Sequence, residues 1–163
     1  MDESSLLETT AEIAVAFAGF ISIFLVLATR DGRFPPGYSL SIRAIVLGSV
    51  IPVFFCAVPL VLHSLGASAA TLWRISSGIV VLAGVVISAY LALRQYETPS
   101  ADRTPGVEQL IAWSLSTLAI LCSLSNLLAW PWGPSGGLYL LAVWLIVATA
   151  GFNFVALIFR KVL

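Results

Sequence analysis

Two carboxylates, Glu8 and Glu12, stand one helical turn apart at the head of an apolar run, IAVAFAGFISIFLVLAT, that carries no charge again until Arg30. An ionisable side chain at the edge of a hydrocarbon layer, or inside it, is costly and is kept where water, an ion or a partner offsets the cost. A 4-3-4-3-4-3 spacing continues from the pair through Val15, Gly19, Ser22, Val26 and Thr29, which holds all of them within one narrow helical stripe. That stripe is acidic at one end, small in the middle and hydroxylated at the other. If several copies grouped around it, rings of carboxylates would concentrate cations at the mouth of a narrow path. The depth of Glu12 depends on where the span begins. Counting about 20 residues back from Thr29 buries it by roughly a turn, whereas a span opening at Ile13 leaves it at the headgroups.

Other reactive side chains are sparse. Cys56 and Cys122 lie well inside apolar runs and read as small packing residues. His63 is the sole histidine, and Ser64 beside it lacks the third group and oxyanion site that a nucleophile and base require. The chain has no CxxC, no histidine pair, no acidic calcium loop, no glycine-rich phosphate loop and no basic stripe. The expectation is therefore no catalytic residues, no metal, no cofactor and no nucleic-acid partner; an enzyme is not expected.

Composition explains what surrounds these residues. Of 163 residues, 60% are hydrophobic and 10% charged, with a mean hydropathy of +1.03. A soluble domain has about a quarter of its residues charged. This chain could not cover its surface in water, but lipid asks for no such covering, so residues 1–163 read as a single transmembrane domain. A window of ~19 residues picks out apolar stretches at about 6–29, 40–63, 71–93, 107–130 and 137–159, each near the ~20 residues a helix needs to cross the bilayer core. RDGRFPPGYS, SLGASAA, YETPSADRTPG and PWGPSGG separate them with turn-forming composition. The expected fold is an all-α integral membrane protein, a bundle of five transmembrane helices.

Arg30, Arg33, Arg43, Arg94, Arg103, Arg160 and Lys161 all fall on one side of such a bundle, leaving Arg74 alone on the other. By the positive-inside rule this places the N-terminus outside and the C-terminus in the cytoplasm. Trp73, Trp130, Trp132 and Tyr139 then sit at the outer ends, and Tyr38, Tyr90, Tyr96 and Trp113 toward the inner ends, as two aromatic belts at headgroup level. The opening MDESSLLETTAE is acidic, unlike the positive start of a cleaved signal, so the first helix is expected to be kept.

The remaining helices carry polar or small stripes of their own. These comprise Ser77, Gly84 and Ser88 in the third, Glu108, Ala112, Ser116, Ala119, Ser123 and Asn126 in the fourth, and Ala142, Thr149, Asn153 and Ala156 in the fifth. Small residues let membrane helices approach closely, and Asn126 and Asn153 are candidates for polar contacts between them. Pro52 and Pro59 interrupt the second helix on one face with His63, each removing a donor and freeing a carbonyl one turn earlier, so this helix is a candidate hinge. AFAGF at Ala16–Phe20 is echoed by ATAGF at Ala148–Phe152, which points to Gly19 and Gly151 as close helix contacts.

The segment AEIAVAFAGF resembles small bacterial integral membrane proteins, which implies a bacterial plasma (inner) membrane location and no particular site residue. The functional expectation is a homo-oligomeric, cation-conducting channel in contact with membrane lipid. Its path is lined by helix one, with Glu8 and Glu12 at the outer mouth and Gly19, Ser22 and Thr29 below. The alternatives are a non-catalytic accessory subunit docked on another membrane protein, and a small-solute carrier using the broken second helix with Asn126 and Asn153.

Overall fold

The computed structural model describes residues 3–29, 38–97, 106–131 and 133–162. They form α1 (Glu3–Thr29), α2 (Tyr38–Ser64), α3 (Ala69–Glu97), α4 (Gly106–Leu128) and α5 (Gly136–Val162), with no strand among them. All five are long and apolar enough to cross a membrane, and the chain reads as an integral membrane protein. Arg30, Arg33, Arg103 and Trp132 lie outside the described residues, as do the side chains of Thr29, Tyr38, Tyr96, Arg160 and Lys161.

Local chemistry sets the helix ends. Gly66, at φ 77°, ends α2 in a Schellman turn: its N–H reaches the His63 carbonyl at 3.0 Å and the Ala67 N–H reaches that of Leu62 at 3.1 Å. The Ser68 hydroxyl then accepts the Thr71 N–H at 3.4 Å as the N-cap of α3. Helix α4 stops at Leu128, short of the expected Trp130, because Ala129 turns to φ 57°. Ser135 caps α5 by accepting the Leu138 N–H at 3.3 Å.

Helices α2, α3, α4 and α5 close a ring in chain order, and α1 packs outside it against α2 and an edge of α5. The α3–α4 seam keeps one antiparallel register from end to end, through Gln95 with Gln109, Gly84 with Ile120 and Ser77 with Asn126. On the α2–α5 seam a Cβ added to Gly48 would stand 2.9 Å from the Ala150 Cβ, so the glycine is what allows this approach. Helix α1 turns Leu7, Thr10, Ala14 and Ile21 inward. Its Phe17, Phe20 and Phe24 surround Phe154 of α5 edge-on, with centroids 6.3, 5.6 and 5.0 Å away.

The two prolines leave α2 helical throughout. Pro59 has no N–H to offer the Phe55 carbonyl four residues earlier. The buried Tyr139 hydroxyl of α5 donates to that carbonyl instead, at 2.5 Å. In hydrocarbon the freed oxygen has no water to turn to, so this bond ties the helices where α2 is broken.

Tyr139 and Trp73 therefore depart from the aromatic belt in which they were expected. Both are buried and pack together at 5.6 Å between centroids, because the proline break draws the tyrosine inward and the indole covers it. Trp130 is exposed, as an anchor at the membrane surface would be. Tyr139→Phe is expected to lower stability by about 1–3 kcal/mol, the cost of a buried acceptor left unpaired. Adding Pro59→Ala returns a backbone donor, so the double variant should recover part of the loss; unfolding in mixed micelles measures this coupling.

Candidate functional site

Helices α2–α5 line a partly open cavity of about 150 Å³. It begins among Ser41, Gln95 and Gln109 at the helix ends that carry Arg43 and Arg94, and runs to Phe55, Val80, Ala119 and Ile146. From Ser41 to Phe55 along α2 is a rise of about 21 Å at 1.5 Å per residue, some two thirds of a bilayer core. Ser88, Ser116, Thr149 and Asn153 give the apolar wall scattered hydrogen-bonding groups, and among the described residues no charged side chain lines it.

The stripes on α3, α4 and α5 thus meet around a space rather than only against each other. Gly84, Ser88, Ala112, Ser116, Ala119, Thr149 and Asn153 all line the cavity, whereas Ser77, Ser123, Asn126 and Ala142 are buried beyond it or beside it. Asn153 donates from Nδ2 to its own helix at the Thr149 carbonyl, 2.9 Å away. Asn126 serves structure: Nδ2 donates to Ser77 Oγ at 2.8 Å and to the Ser135 carbonyl at 3.1 Å, while Oδ1 accepts the Ser135 N–H at 2.6 Å. One buried amide therefore fixes the α4–α5 connection and the α3–α4 seam together.

The mouth has two cross-links. Gln109 Nε2 donates to Gln95 Oε1 at 2.8 Å across the α3–α4 seam. The exposed Arg43 donates from Nη1 to the Tyr90 hydroxyl at 2.6 Å, joining α2 to α3, and the Arg94 guanidinium lies 5.8 Å from the centre of the same ring. Among the described residues the charge stays at the rim, where water can solvate it.

Glu8, Glu12, Gly19 and Ser22 lie elsewhere. All are exposed on the outer side of α1, roughly opposite the seam that holds it to the ring, and Ser22 donates to the Ala18 carbonyl at 2.8 Å. Gly19 has open space where a Cβ would stand, and so is no close helix contact within the protomer. Gly151 meets only the tip of the Phe17 ring at 3.6 Å; the tight approach falls instead at Gly48 and Ala150. Cys56 is fully buried and Cys122 half-buried. His63 is exposed at the end of α2, and Ser64 Oγ donates to the Val61 carbonyl at 2.8 Å rather than to the histidine.

Sequence reading passed over Gln95, Gln109 and Tyr139 as site residues. The signal for Tyr139 was the carbonyl freed by Pro59, which needs a donor from a facing helix; the two glutamines gave none, since amides near helix ends are ordinary. Among the described residues no group of His, Cys, Asp and Glu could hold a metal.

Asn126→Ala strands the Ser135 N–H and loosens Ser77, so a loss of about 2–4 kcal/mol is expected in a micelle unfolding titration. Comparisons with protein-family models, with curated proteins and with solved structures return no match.

Proposed function

We propose that the protein is a non-catalytic membrane carrier that takes a small uncharged solute into the α2–α5 cavity from the face bearing Arg43 and Arg94. The observation behind this reading is a cavity with hydroxyl and amide groups on an apolar wall and no charged side chain among the described residues that line it. A cavity of about 150 Å³ with this lining suits a small amphipathic molecule. An ion drawn into the same space would lose its hydration with no opposite charge to replace it. A neutral solute escapes that cost and keeps its hydrogen bonds through Ser88, Ser116, Thr149 and Asn153. With the arginine-bearing ends in the cytoplasm, the N-terminus is outside and the cavity opens inward.

The test is ligand-dependent thermal stabilisation of the chain in nanodiscs by small neutral amides, polyols and short alcohols. A stabilising compound whose effect disappears in Asn153→Leu supports the carrier. A panel that leaves the wild type unmoved rejects it.

The second reading is the oligomeric cation path around α1. It is supported by one feature: Glu8, Glu12, Gly19 and Ser22 face outward, unused by packing within the protomer. Small residues on an unpartnered membrane helix suit contact with further copies, and gathered carboxylates would share water and counter-ions. This path predicts a multimer by native mass measurement in nanodiscs, and a cation flux into liposomes that Glu12→Gln reduces. A monomer, or a flux indifferent to that change, removes it.

A further inference from the structure

Among the described residues, two buried side-chain oxygens, Ser76 Oγ and Ser123 Oγ, find no hydrogen-bond partner within the protein. Both residues are fully buried. Most serines in a membrane helix satisfy themselves on a carbonyl one turn back, as Ser22 does here. A hydroxyl sealed in a dry interior is penalised, so two such groups in one small region ask for an occupant.

Their position is informative. Ser76 adjoins Ser77 in the chain, and Ser123 lies one turn before Asn126; Ser77 and Asn126 are hydrogen-bonded at 2.8 Å. Ser76 also lies one turn beyond Val80, and Ser123 one turn beyond Ala119, both of which stand at the deep end of the cavity. Ser77 and Asn126 bridge the α3–α4 seam, and Ser76 and Ser123 are their near neighbours in the chain, each one turn past Val80 or Ala119 in the apolar layer that these form with Phe55 and Ile146 at the end of the cavity. Tyr139, bonded to the Phe55 carbonyl, belongs to the same core as Phe55 and Val80.

We propose that Ser76, Ser77, Ser123 and Asn126 form a second binding station, for water or another small uncharged hydrogen-bonding molecule, which lies beyond the apolar layer and continues the path begun by the cavity. The layer separates two polar compartments inside one protomer. Solute entering from the Arg43 and Arg94 end passes the layer and is received by hydroxyls that the protein itself leaves unpaired. Asn126, already committed to Ser77 and Ser135, holds the station's frame, and the two free hydroxyls face the occupant. This inference deepens the carrier reading and rests on it for direction, but the occupancy of the station is measured separately.

Ser76→Cys and Ser123→Cys, made singly in the full chain in nanodiscs, are treated with methyl methanethiosulfonate and read peptide by peptide. The thiolate is the reacting form, so a thiol touching water reacts and one sealed among apolar groups does not; the fully buried Cys56 serves as the internal dry standard. Labelling at least about tenfold faster than Cys56 at both positions is expected, and rates equal to Cys56 overturn the station. A second measurement needs no reagent. The variant Ser76→Ala with Ser123→Ala melts at the wild-type temperature or below if the hydroxyls hold an occupant, and above it if they are dry, which also overturns the proposal. Because neither readout involves solute binding near Asn153, failure of the station and failure of the carrier are distinguished.

Discussion

The bond from the Tyr139 hydroxyl to the Phe55 carbonyl is the constraint around which the bundle is organised. A bilayer offers no water to a carbonyl that has lost its helical donor. Pro59 creates such a carbonyl in the middle of α2, and a buried phenol from α5 answers it. Tyr139 must enter the core for this, so Trp73 follows to cover the ring, and the α2–α5 seam is fixed at that depth. Pro52 likewise deprives the Gly48 carbonyl of its usual donor, and here α2 and α5 approach closely, glycine against Ala150. The two breaks and the two contacts with α5 belong to one design.

Across the ring, α3 and α4 are held differently. Gln95 with Gln109 at one end and Ser77 with Asn126 at the other are polar clasps, and Gly84 against Ile120 lies between them. Amide bonds of this kind are worth more for register than for raw stability in a membrane. The cavity lies between the proline-broken seam and the polar-clasped one, and it inherits character from both: an apolar wall, a few hydroxyls and amides, and, among the described residues, charge only at the rim. That distribution favours neutral over ionic occupants, since desolvation of an ion without a counter-charge outweighs what isolated hydroxyls return.

Helix α1 stands apart from this arrangement. It packs chiefly along α2 through Leu7, Thr10, Ala14 and Ile21, with three phenylalanines around Phe154 at the edge of α5, and its opposite side presents Glu8, Glu12, Gly19 and Ser22 outward. The protomer accordingly has two candidate functional surfaces, one lined by the ring and one on its outside. They involve different residues, since among the described residues none of α1 lines the cavity.

Amino-acid order alone determined that the chain is helical and that it has five helices long and apolar enough to cross a membrane, because apolar run length and charge avoidance are local properties. It also marked the stripes on α3, α4 and α5, since a helical period shows which residues share a face. What a face meets is not local. Whether Asn126 ties a loop or binds a solute, whether Trp73 and Tyr139 anchor at the surface or fill the core, and whether Gly19 or Gly48 is the close contact were decided only when the helices packed. The physical reason is that each outcome depends on a partner from another helix at matching depth, as with the carbonyl that Pro59 frees and the hydroxyl that Tyr139 brings to it.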